Sequence, residues 1–174
     1  MSLKARAFAD LLAATRSSAV HLEMRDQYAV GDEAEDYAAF LRTGVANTDP
    51  AKSFWPKWLP LVADAVARGV VVRRARIVSE PVTDYIRYEH AITLLNLRAG
   101  EDVRWLPRRR ASDLALPGND FWLLDGRIVQ FNHFTGKGDW ASKEHTEDPD
   151  VAALCATAFE AVWRRAVPHE KYTV

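Results

Sequence analysis

The stretch FWLLDGRIVQFNHF, residues 121–134, decides the fold. Two apolar runs meet at Asp125-Gly126, and both residue types tolerate positive φ. The dipeptide therefore predicts the mirror-image turn of a tight β-hairpin. The first run ends in a carboxylate, Asp125, which the pattern places at a strand end facing a cleft. Working outward, RRRASDLALPGND before the hairpin is a polar connection. Gly136-Lys137-Gly138 after it is a turn leading to a last strand at about 139–144. Asp148-Pro149 is an N-cap followed by proline at the first helical position, and it predicts a helix over 149–166. Cys155, Phe159, Val162 and Ala166 lie along one face of that helix.

Upstream, helical spacing and strand patterns alternate. Phe8, Leu11 and Leu12 make one face of a helix over about 4–14. Val20, Leu22 and Met24 alternate with His21, Glu23 and Arg25, which is the period of a strand with one buried face. A helix over 33–42 ends at Gly44, and 45–56 reads as a loop. Trp58, Leu61, Val62, Ala65 and Val66 hold helical spacing over about 57–68, with Gly69 as the stop. VVVRRARIV, residues 70–78, is β-branched and reads as a strand buried in the sheet. A helix over 82–99 stops at Gly100, and DVRWL, 102–106, is a short strand. Helix, strand, helix, strand is the order of a parallel sheet wrapped by crossover helices. The fold class is thus α/β: a mixed sheet with a parallel portion, an antiparallel hairpin and helices on both faces. The 174 residues read as one domain, with 1–56 supplying the N-terminal helices and the first strand.

Composition narrows the function classes. With 23 basic and 24 acidic residues the net charge is −1, so no global field gathers the chain onto nucleic acid or an anionic membrane. One cysteine excludes an internal disulfide and a cysteine-based zinc site. No run reaches the ~20 apolar residues of a membrane span, and the start lacks a signal-peptide core, so residence in the cytoplasm is expected.

Two resemblances add to this. LEMRDQY at 22–28, DYIRYE at 84–89, AGEDVRWL at 99–106, DFWLLD at 120–125 and the C-terminal AVWRRAVPHEKY look like an actinobacterial domain family of unknown function. That family implies a helix-turn-helix transcription regulator as partner. Residues 57–166 are similar to phospholipase-D-like domains, most of all those attached to bacterial transcription regulators. In the enzymes of that class a strand leading into such a hairpin carries His-x-Lys-x4-Asp, with histidine as nucleophile or acid and lysine gripping phosphate. If Asp125 takes the aspartate place, Gly118 stands at the histidine and Asp120 at the lysine. The other His-x-Lys, His169-Glu170-Lys171, has no room for the aspartate. The resemblance therefore implies a domain dead for phosphodiester chemistry.

Candidate ligand residues are Glu23, Arg25, Asp26, Arg87 and Asp125. The first three crowd a predicted strand end, where open α/β sheets form their ligand crevice, though an ion pair fixing the first strand is the plainer use. Asp84, Tyr85, Arg87, Tyr88, Glu89 and His90 crowd the start of a helix. The tyrosines fit its apolar face, and Arg87 is the residue kept for an anion. The histidines, His21, His90, His133, His145 and His169, show no metal spacing, and no cofactor or metal is expected. Ser17, Ser18 and Cys155 lack a nucleophile's setting. The basic groups Arg73, Arg74, Arg76 and Arg104, Arg108, Arg109, Arg110 read as solvated rather than as a nucleic-acid face. The leading expectation is a non-enzymatic regulatory or sensor module, binding a small molecule or a regulator protein. The competing one is a hydrolase or nuclease with a carboxylate and arginine site. A third, a dimeric interaction component, needs Trp55, Trp58 or Trp140 on an exposed apolar surface.

Overall fold

The computed structural model describes residues 7–29 and 31–174. Its elements are α1 (Phe8–Ala14), β1 (Ser18–Glu23), α2 (Ala34–Thr43), α3 (Trp55–Ala67), β2 (Val71–Val78), α4 (Asp84–Arg98), β3 (Asp102–Pro107), β4 (Asp120–Leu124), β5 (Ile128–Phe134), β6 (Trp140–Thr146), α5 (Pro149–Arg165) and β7 (Val167–Pro168). The part of the first predicted helix before residue 7 lies outside the described residues. Helix α3 starts two residues earlier than its apolar spacing suggests, because Pro56 is tolerated in a first helical turn.

The seven strands form one mixed sheet in the order β6-β5-β4-β1-β2-β3-β7. β1, β2 and β3 are parallel neighbours. β4, β5 and β6 run antiparallel beside β1. At the β4–β5 turn Asp125 has φ 52° and Gly126 φ 64°, the two positive angles that the Asp-Gly pair predicts.

Helices cover both faces. Helix α5 lies on one, where Cys155, Phe159 and Val162 pack against Val20, Leu22, Ala75, Ile77, Phe121 and Leu123. On the other, α1 and α3 pack over Ala19, Val72, Trp122 and Leu124, and α4 packs over Val78, Val103 and Trp105. The N-cap of α5 is Asp148, whose carboxylate accepts from the N–H groups of Asp150 and Val151. Among the described residues no helix is long and apolar enough to cross a membrane.

Gly100, after α4, has φ 93°, and a Cβ there would sit 2.9 Å from Val66 Cγ1. Gly100→Ala is expected to lower the unfolding free energy by about 1–2 kcal/mol, read as a shift of the urea midpoint.

Strand β1 corrects one expectation. It has two buried faces, not one: His21 is as inaccessible as its apolar neighbours, and only the ends are half-buried. Strand β2 behaves alike, with Arg74 at 7% exposure and Arg76 at 6%. Of the arginines read as solvated, Arg74 and Arg76 are therefore core residues on the α3–α4 face.

Candidate functional site

Side chains alternate along a strand, so residues two apart share a face. On β1 that rule sets His21 and Glu23 toward α3 and α4. On β2 it sets Arg74 and Arg76 there, and the parallel register puts His21 beside Arg74 and Glu23 beside Arg76. On β4 it sets Asp120 and Trp122 on the same face. These residues floor a cavity of about 350 Å³ at the C-terminal ends of β1 and β2, roofed by α3, α4 and the segment leading to α2. Its walls include Tyr28, Trp55, Trp58, Tyr85, Phe134 and Trp140.

The floor is held by a buried ion network. Glu23 accepts from Arg74 Nη1 at 2.7 Å and from Arg76 Nε at 2.5 Å. Arg74 Nε also donates to Glu101 at 2.6 Å, and Asn96 holds that carboxylate's other oxygen at 2.7 Å. Arg76 reaches Glu89 Oε2 at 2.5 Å. The guanidinium of Arg74 lies over the Trp58 and Trp122 rings, and that of Arg76 over Trp105. Burial pushes the Glu23 carboxyl up, but Arg76 and Arg74 outweigh it and hold the group down at about 2.

The remaining acids behave differently. Asp120 accepts from the Tyr28 hydroxyl and from Met24 N–H, with no cationic partner within salt-bridge distance among the described residues. Burial pushes its carboxyl up to about 6, against the Tyr28 hydrogen bond and helped by the Glu23 charge. Glu33 accepts from, or donates to, the Tyr85 hydroxyl at 2.8 Å, and Tyr85 also lies 3.0 Å from Glu89. One phenol proton is thus shared between two carboxyls, which sets Glu33 and Glu89 in competition for it. Burial and the Glu89 charge push Glu33 up to about 8.

His21 stacks on Trp122, with ring centroids 4.2 Å apart. Burial pushes its pKa down to about 3, so the imidazole is neutral. Its Nδ1 lies 3.5 Å from Glu23 Oε1, too poorly placed for a hydrogen bond, and neither ring nitrogen has a partner.

Carboxyls whose pKa is raised by folding stabilise the fold below their ordinary range and lose that contribution as pH rises through the raised value. Melting temperature is therefore expected to fall as pH rises from about 4 to about 8, with the Asp120 contribution lost by about pH 6 and the Glu33 contribution by about pH 8. Asp120→Asn and Glu33→Gln should each flatten part of that fall in a thermal-denaturation series.

Of the five candidate ligand residues, the fold brings one, Glu23, into this cavity. Arg25 donates to the Thr135 carbonyl and lies over the Phe134 ring. Asp26 accepts from Ser79 N–H and Oγ–H and pairs with Arg108, tying β1 to the end of β2. Arg87 is exposed and pairs with Asp84 one turn away. Asp125 does not face the cavity. The register Leu22↔Phe121 and Ala19↔Leu124 puts it beside the start of β1, roughly 16 Å along the strand from Asp120. There it accepts from the N–H groups of Arg16, Ser17 and Ser18 and from the Ser17 hydroxyl. Asp125→Ala is expected to cost about 1–3 kcal/mol in urea unfolding, because those donors lose a charged acceptor.

The cavity residues that sequence reading left aside are His21, Arg74, Arg76 and Asp120. The signal was present as polar residues two apart on adjacent central strands. Cys155 lies on the buried face of α5, where burial lifts its thiol to about 11. Trp55 is 2% exposed, and of the three tryptophans offered for an interaction surface Trp140, at 51%, is the open one. Among the described residues no group of three or more His, Cys, Asp or Glu is placed to hold a metal ion.

The fold is similar to that of phospholipase-D-like domains. The chain superposes on the crystal structure of a phospholipase D family member, Nuc from Salmonella typhimurium, with a TM-score of 0.50 and 12% identity, covering 92% of this chain and 86% of that one. It also superposes on TrmBL2, an archaeal chromatin protein, with a TM-score of 0.50 and 13% identity. That match covers 91% of this chain and 48% of the other, so the chain spans about half the length of the chromatin protein. No curated protein matches the sequence. The chain belongs to a family of unknown function, DUF6879, which matches it over residues 6–174.

Proposed function

We propose that this chain is a non-enzymatic ligand-binding module, a phospholipase-D-like domain that has lost phosphodiester chemistry and passes the presence of a small molecule to a helix-turn-helix transcription regulator. The observation that carries the reading is Asp120. With Asp125 set at the motif's aspartate, Asp120 falls at the phosphate-gripping lysine, and its carboxylate lines the cavity beside Glu23. A phosphate group there would meet negative charge, and Gly118 supplies no nucleophile.

The sequence motifs support the same place. LEMRDQY contributes Glu23 and Tyr28, DYIRYE contributes Tyr85 and Glu89, and DFWLLD contributes Asp120 and Trp122 to one cavity. Residues 1–56 and 57–166 both line it, so the ligand-binding unit is the whole domain rather than its phospholipase-D-like portion. A concave, aromatic-walled space with a few convergent polar groups is what small-molecule sites are made of. That a domain of this fold forms about half of a DNA-binding chromatin protein is compatible with service beside a DNA-binding partner in the cytoplasm.

The test is native mass spectrometry of the protein purified without denaturant from its own cells, together with an assay on bis(4-nitrophenyl) phosphate. A retained small molecule and no turnover are expected. Hydrolysis that disappears in Asp120→Asn would overturn the reading. It would favour a hydrolase that uses Asp120, near pKa 6, and neutral His21 as its proton-transfer groups.

A further inference from the structure

The chemistry of the cavity narrows the class of ligand, and this step rests on the ligand-binding reading above. Each arginine of the floor is already matched by two carboxylates: Arg74 by Glu23 and Glu101, Arg76 by Glu23 and Glu89. Asp120 and Glu33 are left over, with no ion pair among the described residues. Both lean on tyrosines whose rings are neighbours, Tyr28 and Tyr85, with centroids 6.1 Å apart. The two spare acids thus flank the same part of the cavity.

His21 gives an independent sign that something polar is meant to enter. It is 93% buried, lines the cavity and has both ring nitrogens unpartnered. A neutral imidazole offers one donor and one acceptor, and leaving both unused in a protein interior is costly. A ligand that brings hydrogen-bonding groups to the floor would satisfy them.

The rim supplies the third element. Tyr28 meets Phe134 edge to face at 5.0 Å, and Phe134 meets Trp140 edge to face at 5.6 Å. Rings set at such angles form a corner that suits a cation: the Arg25 guanidinium already lies over the Phe134 ring, which leaves Trp140, half exposed, as the open wall.

We propose that the cavity takes an organic cation: an ammonium or amidinium head seated between Asp120 and Glu33, on an apolar or aromatic body lying against Phe134 and Trp140. An anion is disfavoured, since both arginines are neutralised and the spare groups are acids. The head displaces protons. Glu33 faces Glu89, Tyr85, Arg76 and Glu23, and Asp120 faces Tyr28, Glu23 and Arg25; burial, ahead of the neighbouring carboxylates, is what favours the protonated form of each. Binding of a cation pulls both toward the ionised form, and affinity rises with pH until both are ionised.

The experiment is isothermal titration of the native protein with four cations: 2-phenylethylamine, tyramine, agmatine and benzyltrimethylammonium. 3-Phenylpropionate and 2-phenylethanol are the anionic and neutral counterparts. At least one cation is expected to bind, roughly tenfold or more tighter than either counterpart. Titration at about pH 7 in two buffers of different ionisation enthalpy should register proton release. Asp120→Asn and Glu33→Gln, both of native shape, should each weaken that cation by about tenfold or more. Equal or tighter binding of the anion or the neutral compound would overturn the cation proposal and leave the ligand site standing. Binding of none of the four cations would overturn it as well, and the ligand site would then stand or fall on the retained molecule alone.

Discussion

Arg76→Met is expected to destabilise the fold by about 3–5 kcal/mol in urea unfolding near neutral pH. The methionine keeps most of the side chain's bulk, so the loss measures charge rather than a cavity. Without the guanidinium, Glu23 keeps Arg74, while Glu89 loses its ion pair at 2.5 Å inside α4 and the sheet. The Glu89 carboxyl is already pushed up by burial, against the pull of Arg76, and removing Arg76 removes that pull. A freed carboxylate can escape the penalty by taking a proton. The destabilisation should therefore shrink as pH is lowered toward about 5 and grow above neutrality. Arg76→Met/Glu89→Gln should recover much of the loss, because a buried pair replaced on both sides leaves no orphan charge. An equal loss at every pH would mean that packing against Trp105, not charge, is what Arg76 supplies.

Trp122→Ala is expected to cost a further class of interaction, about 3–5 kcal/mol, and to abolish the cavity's floor. Trp122 is 4% exposed and packs with Phe8 at 4.7 Å, Trp58 at 5.8 Å and His21 at 4.2 Å between centroids. Its loss uncouples α1 and α3 from the sheet and lets water reach His21. The imidazole, now held near pKa 3 by burial, should move back toward its ordinary range. Denaturant midpoints give the first effect, and the His21 ring resonances followed with pH give the second. A native midpoint in this variant would show that α1 and α3 are anchored elsewhere.

The alternation of helix and strand spacing was enough to recover the architecture, because the helices carry apolar faces, β1 alternates with period two and β2 is a β-branched run. Asp125-Gly126 defined a hairpin whose turn angles are those it requires. β7 was not legible: Val167-Pro168 is two residues long and pairs only because α5 delivers it to the edge of β3. The site was harder for a physical reason. Charged residues on a strand normally mark its solvated face, and Glu23, Arg74 and Arg76 break that rule by burying one another. Their mutual neutralisation is a property of register between strands about 50 residues apart, such as Glu23↔Arg76, and spacing along one strand does not reveal it. Asp125 drew attention for its place in the motif, yet it stands past one end of β4 while Asp120 stands at the other, and a strand carries its two ends to opposite ends of the sheet. The same geometry that removes Asp125 from the cavity brings Asp120 into it.

The central claim is that function resides in the cavity between the sheet and helices α3 and α4. The six tryptophans of the chain report on it directly. Trp55, Trp58, Trp122 and Trp140 line the cavity, and Trp105 and Trp163 do not. In ¹⁵N-labelled protein the indole N–H signals are followed while the retained molecule, or the tightest of the organic cations, is titrated in. Saturable shifts of several cavity indoles, with Trp105 and Trp163 unmoved, are predicted. Binding that moves Trp105 or Trp163 and leaves the cavity indoles in place would contradict the account.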